Sequence, residues 1–107
     1  MEDSGMNSRC VIFVRGNAND TADRLEAFAK KSGMKIIETI FNTDEKAVER
    51  LKYYIERDAV SCVLVRDVVD ISMETDEVKA IMKLVAEHGI SINAENRGYE
   101  PALISFE

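Results

Sequence analysis

The sequence predicts a doubly wound α/β domain with helices on both faces of a five-stranded mixed sheet. Three observations carry this. Two runs, Cys10–Val14 and Val60–Val65, are apolar or small throughout, the mark of strands buried on both faces rather than one. Strand-like runs alternate with segments of helical periodicity in the order β-α-β-α-β-α-β, which implies parallel strands joined by right-handed crossovers. The last link, the polar stretch Ala94–Pro101, is too short for a crossover, so the final strand should run antiparallel to its predecessor.

The first strand is Cys10–Arg15, followed by the turn-rich Gly16-Asn17-Ala18-Asn19-Asp20. Asp20 or Thr21 is placed to cap a helix with Ala22, Leu25, Phe28 and Ala29 on one face, and Gly33 is the expected glycine just past its end. Met34–Phe41 is a less uniformly apolar strand, interrupted by Glu38 and Thr39, and belongs nearer a sheet edge. Asn42 or Thr43 caps the next helix, and Asn42 with Glu45 has capping-box spacing. Val48, Leu51, Tyr54 and Ile55 form its apolar face; Glu45, Lys46, Glu49 and Lys52 lie opposite. The central strand Val60–Arg66 follows. Ser72 or Thr75 caps a third helix with Val78, Ile81, Met82 and Val85 inward and Glu74, Asp76 and Glu77 at its dipole-favoured start. Ile90–Ile92 and Ala102–Phe106 are the last strands.

The chain has 107 residues, 32% of them charged, and a formal net charge of -6, which argues against a surface that is basic overall and wraps nucleic acid. No apolar run approaches the roughly 20 residues that span a bilayer. Met1–Met6 lacks the basic and apolar regions of a signal peptide. The expectation is a flexible tail over 1–8, one domain over 9–107, no membrane partner and a cytoplasmic location. Cys10 and Cys62 fall inside apolar runs and are expected to be reduced, buried thiols in one core region.

The carboxyl ends of the strands are where an open α/β sheet binds ligands, so Arg15–Asp20 and Arg66–Ser72 are the candidate stretches. Neither a G-x-G-x-x-G nor a phosphate-binding G-x-x-x-x-G-K-[ST] is present. His88 is the only histidine, which excludes a histidine-built metal site, and its place in a last helical turn suits the dipole. Asp67 and Asp70 could hold a divalent ion with Asn17 or Asp20 across the crevice. The favoured reading is that Asp67 ends the strand and Asp70 turns the loop. No metal and no cofactor are expected.

The element order and two local motifs resemble the N-terminal catalytic domain of serine recombinases, the resolvase and invertase family. That family opens with a strand ending in Tyr-x-Arg-x-Ser, where this chain has Phe13-Val14-Arg15-Gly16-Asn17. Its third strand leads into Asp-Arg-x-x-Arg and then Ser or Asn, where this chain has Asp67-Val68-Val69-Asp70-Ile71-Ser72. His88-Gly89-Ile90-Ser91-Ile92 resembles the family's turn into strand four. The resemblance covers residues 9–106, in order and spacing more than identity. It implies a three-layer α/β/α resolvase-like fold with strand order 2-1-3-4-5. It puts Arg15, Asn17, Asp67 and Ser72 at catalytic positions, with Val68 and Ile71 where the family has arginines.

The departures are chemical. The family attacks a DNA phosphodiester with a serine hydroxyl and offsets the charge at phosphorus with arginines. Asn17 offers a carboxamide in place of that hydroxyl, and Val68 and Ile71 cannot donate to phosphate. The family's flexible Ser-Gly-x-x-x-Arg-Pro segment after strand two is replaced by Asn42-Thr43-Asp44 leading directly to a helix. The family's long dimer helix and DNA-binding domain have no counterpart up to Glu107. The expectation is therefore a resolvase-like domain related to site-specific DNA recombinases, catalytically inactive and serving as a binding or regulatory module. Its expected partners are DNA or a recombinase-related protein, and its expected state is a monomer or a weak homodimer, with an apolar patch near Tyr99–Leu103. The alternatives are an active or accessory recombinase fragment that relies on a partner's residues, and a flavodoxin-like binder of a small anion or nucleotide.

Overall fold

The structure, a computed structural model, describes residues 8–100. The elements run β1 (Arg9–Arg15), α1 (Asn19–Lys31), β2 (Lys35–Asn42), α2 (Lys46–Glu56), β3 (Cys62–Val65), a 3-10 turn (Val68–Asp70), α3 (Thr75–Glu87), β4 (Ser91–Ala94) and a second 3-10 turn (Glu95–Arg97). The sheet order is β2-β1-β3-β4 and every pairing is parallel. The chain steps outward from β1 to β2 and then reverses past β1 to β3 and β4. Right-handed crossovers in opposite directions put their helices on opposite faces, and the two cores follow this division. Cys10, Ile12, Val14, Cys62 and Leu64 pack with Ala22, Leu25 and Ala29 of α1. Val11, Phe13, Val63 and Val65 pack with Leu51 and Ile55 of α2 and Ile81 and Val85 of α3. The unbroken apolar runs are thus two period-2 sets, one for each layer.

The four strands and their order match expectation, and β2 is an edge strand. The predicted fifth strand, 102–106, lies outside the described residues, as does all but Tyr99 and Glu100 of the predicted apolar patch. Among the described residues the sheet is four-stranded and wholly parallel rather than mixed. Tyr99 is half-buried, its ring stacked on Phe28 of α1 with centroids 3.6 Å apart.

The predicted caps differ most. The α1 helix begins at Asn19, earlier than Asp20 or Thr21, with no side-chain cap. Asn42 is the last residue of β2 and makes no capping box; Asp44 Oδ1 instead accepts from the Lys46 N–H at 2.9 Å, near the start of α2. Ser72 lies three residues before the first residue of α3 and accepts from the Glu74 N–H at 3.0 Å. At α2 and α3 the chain needs extra residues to leave the sheet before it can turn into the helix, so the polar side chain nearest in sequence is not at the helix end; α1 starts sooner than predicted. The β3 strand, Cys62–Val65, is also shorter than predicted: Ser61 bonds to Arg9 and Ser91 at its entry without joining the strand, and Arg66 turns out of the sheet.

Cys10 and Cys62 are register partners on β1 and β3, free and buried against α1. Burial, with the neighbouring Cys62 as a smaller cause, pushes the Cys10 thiol up to about 12. Burial pushes Cys62 up to about 11, against a smaller lowering by Ser91. Unfolded thiols ionise near pH 8.5, so above that pH the folded chain holds protons that the unfolded chain has released, and stability falls as pH rises toward 11–12. Urea titrations should show a loss of about 2 kcal/mol per thiol by pH 10, with no loss from this source below pH 8. A Cys10→Ala/Cys62→Ala variant should lose most of that slope; an unchanged slope would place its origin elsewhere.

Candidate functional site

The chain reverses its direction across the sheet between β1 and β3, and the crevice at the carboxyl ends of these strands is the natural ligand position. Arg15 ends β1 and is exposed. Gly16 follows with φ +59, a left-handed conformation that glycine adopts without strain, and its N–H donates to the Asn42 carbonyl at 3.2 Å. Asn42 Nδ2 donates in turn to the Ile71 carbonyl at 3.2 Å. The ends of β1 and β2 are thereby tied to the loop that leaves β3.

That loop is built on a buried charge. Asp70 is 2% exposed. Its two oxygens accept from Arg66 Nε at 2.9 Å and Nη2 at 2.7 Å, a bidentate pair. The hydrogen bond and charge of Asp70 raise the Arg66 pKa further above its ordinary value. Asp67 caps the 3-10 turn, accepting from the Val69 N–H at 3.3 Å, and its other oxygen accepts from Asn96 Nδ2 at 2.8 Å. Nearby, Arg24 of α1 holds Glu95 through Nε at 2.8 Å and Nη2 at 3.0 Å, which lowers the Glu95 pKa. Asp67 and Asp70 are each committed to donors within the protein, which supports the turn-forming reading over the ion site. Among the described residues no cluster of metal-ligating side chains is present.

A cleft of about 400 Å³ opens beside this loop, with Arg15, Asn42, Ile71 and Ser72 in its wall. It joins a smaller groove of about 290 Å³ walled by Arg15, Val69, Met73 and Val78. The structure thus brings three of the predicted positions, Arg15, Ile71 and Ser72, to one cleft. Asn17 is exposed on the turn after β1, Asp67 faces Asn96, and Val68 packs against the α2–α3 core; none of these three lines the cleft. Ile71 has 0% exposure and belongs to the same core. Sequence reasoning missed the roles of Asn42 and Arg66. The four-residue separation of Arg66 and Asp70 was a usable signal for the second; nothing local announced the first.

No protein-family model and no curated protein matches the chain. Solved structures similar to the chain include two recombinase proteins. One is the N-terminal catalytic domain of TP901-1 integrase, with TM-score 0.71 and 20% identity over 84% of this chain and 78% of that one. The other is a resolvase-family site-specific recombinase from Streptococcus pneumoniae, with TM-score 0.73 and 15% identity over 85% of this chain and 74% of that one. With parallel strands in the order 2-1-3-4, one helix on one face and two on the other, the fold of this chain is that of the resolvase-family site-specific recombinases.

Proposed function

We propose that this domain keeps the recombinase fold without the recombinase chemistry and acts as a binding or regulatory module, with DNA or a recombinase-related protein as its partner. The observation that carries the reading is the state of the two positions where the resemblance expects arginine. Val68 and Ile71 are apolar and packed into the core, Ile71 with no exposure at all, so neither can stabilise charge on a phosphorus in the crevice. Asn17 at the nucleophile position adds a second defect, since a carboxamide cannot form a phosphoester link. Losing one donor to a developing charge costs on the order of 2.7–4 kcal/mol of transition-state stabilisation, and two such losses with a missing nucleophile leave no route to turnover.

A small-anion or nucleotide binder is favoured by Arg15, whose side chain has no hydrogen-bond or ion-pair partner among the described residues and lines the cleft. Asp44, Glu45 and Glu77 line the same cleft and repel a polyphosphate. We therefore favour the module. Supercoiled DNA incubated with the protein, then denatured and run on a gel, should show neither nicking nor a protein–DNA adduct. Asn17→Ser should be equally inert. An adduct with the unmodified chain would refute the inactive reading, and one with Asn17→Ser alone would show that the apolar residues at 68 and 71 matter less than their burial implies.

A further inference from the structure

Charge is spread unevenly along the joined cleft and groove: Arg15 lines both lobes, carboxylates line only the larger one, and an apolar shelf runs along both. In the smaller lobe Arg15 is the one charged lining side chain. In the larger lobe Asp44, Glu45 and Glu77 stand together, none in an ion pair among the described residues. Val69 and Met73 line both lobes and are 54% and 90% exposed. Only one other large apolar side chain among the described residues, Tyr53, is comparably open, and Arg57 covers its ring at 4.3 Å. Two uncovered apolar side chains beside unpaired charges of both signs mark an interaction surface rather than a solvated loop.

The geometry points to a partner-protein segment that carries one bulky apolar side chain between a carboxylate and a basic side chain. The apolar group would sit on Val69 and Met73, the carboxylate on Arg15, and the basic group on Asp44, Glu45 and Glu77. Two features select a peptide over a nucleic acid. A nucleic-acid backbone would meet one cation and three carboxylates, an unfavourable balance. An exposed methionine is an adaptable contact for a partner's side chain and has nothing to offer a phosphate. The inference rests on the binding-module reading and names the chemistry of the partner.

The test starts from a phage-displayed library of random 12-residue peptides selected on the full chain. The peptide that emerges is then synthesised and its affinity measured by fluorescence polarisation. The expected consensus has an apolar residue flanked by an acid on one side and a base on the other. Met73→Glu and Arg15→Glu should each weaken binding by about tenfold or more, as for residues at the centre of an interface. Both positions are exposed, and unchanged thermal melts would show that the variants fold. A peptide with its acid changed to lysine should bind Arg15→Glu better than the unmodified chain. Failure to enrich such a consensus, or affinity unmoved by both substitutions, would overturn the partner class. So would tighter binding of a 20-base-pair duplex than of the peptide, if Arg15→Glu abolished it. The DNA-adduct assay is independent: a protein inert toward DNA that also selects no such peptide would lose this partner and keep the module reading.

Discussion

Replacing Arg66 with methionine should destabilise the domain by about 3–5 kcal/mol at neutral pH. The side chain of Asp70 is 1% exposed, and both donors found for it among the described residues belong to Arg66. Without them an ionised carboxylate is left in the protein with no partner and little water. The complementary change, Asp70→Asn, should cost less, because the Arg66 side chain is 40% exposed and its guanidinium can be rehydrated. The double variant Arg66→Met/Asp70→Leu should recover more than half of the loss, since an apolar pair of similar volume carries no desolvation penalty. For a domain of this size the single Arg66 variant should melt about 15–30 °C lower. Thermal melts of the three variants check the ranking. If Asp70→Asn proved the more damaging single change, the loop would depend on the arginine's exposure less than its geometry indicates.

Putting arginine at position 71 should cost at least about 4 kcal/mol, enough to unfold much of the protein, and should restore no DNA chemistry. Two effects compete there. Ile71 borders the cleft, so a long side chain has an exit toward water. Against this, its side chain is wholly buried in a cluster with Phe13, Val48 and Val78, and its backbone carbonyl is held by Asn42. Turning the side chain outward would empty the core position and strain the loop that Arg66 and Asn42 hold. Burial therefore wins. Ile71→Met is the control, because it conserves volume and polarity and should cost less than about 1.5 kcal/mol. Urea denaturation of both variants decides the matter: an arginine variant as stable as the methionine variant would show that position 71 faces the cleft. Val68→Arg should be milder than Ile71→Arg, since Val68 is only half-buried.

The resemblance to recombinases was legible in Phe13–Asn17 and Asp67–Ser72 because a motif keeps its spacing even when its chemistry is replaced. What those residues would do in three dimensions was not legible. Spacing put Arg15, Asn17, Asp67 and Ser72 into one catalytic set, yet only Arg15 and Ser72 of these four line the cleft. Asp67 is turned toward Asn96, a residue in a different loop, by a hydrogen bond that no local pattern encodes. Asn42 was misread as a cap because its helix-capping propensity is real; a competing use, tying β2 to the Ile71 carbonyl, decided its role.

The sequence by itself determined the layers and the core. Unbroken apolar runs require strands covered on both faces, helical periodicity supplies the covers, and connections long enough to hold a helix allow parallel crossovers. These are properties of neighbouring residues and survive without knowledge of the rest of the chain. Only the tertiary structure decided that Asp70 is buried and paired with Arg66, that Val69 and Met73 stand exposed, and that Arg15 shares a cleft with three carboxylates. Each of these depends on where one strand end comes to lie against another, and periodicity within a strand or helix carries no information about that distance.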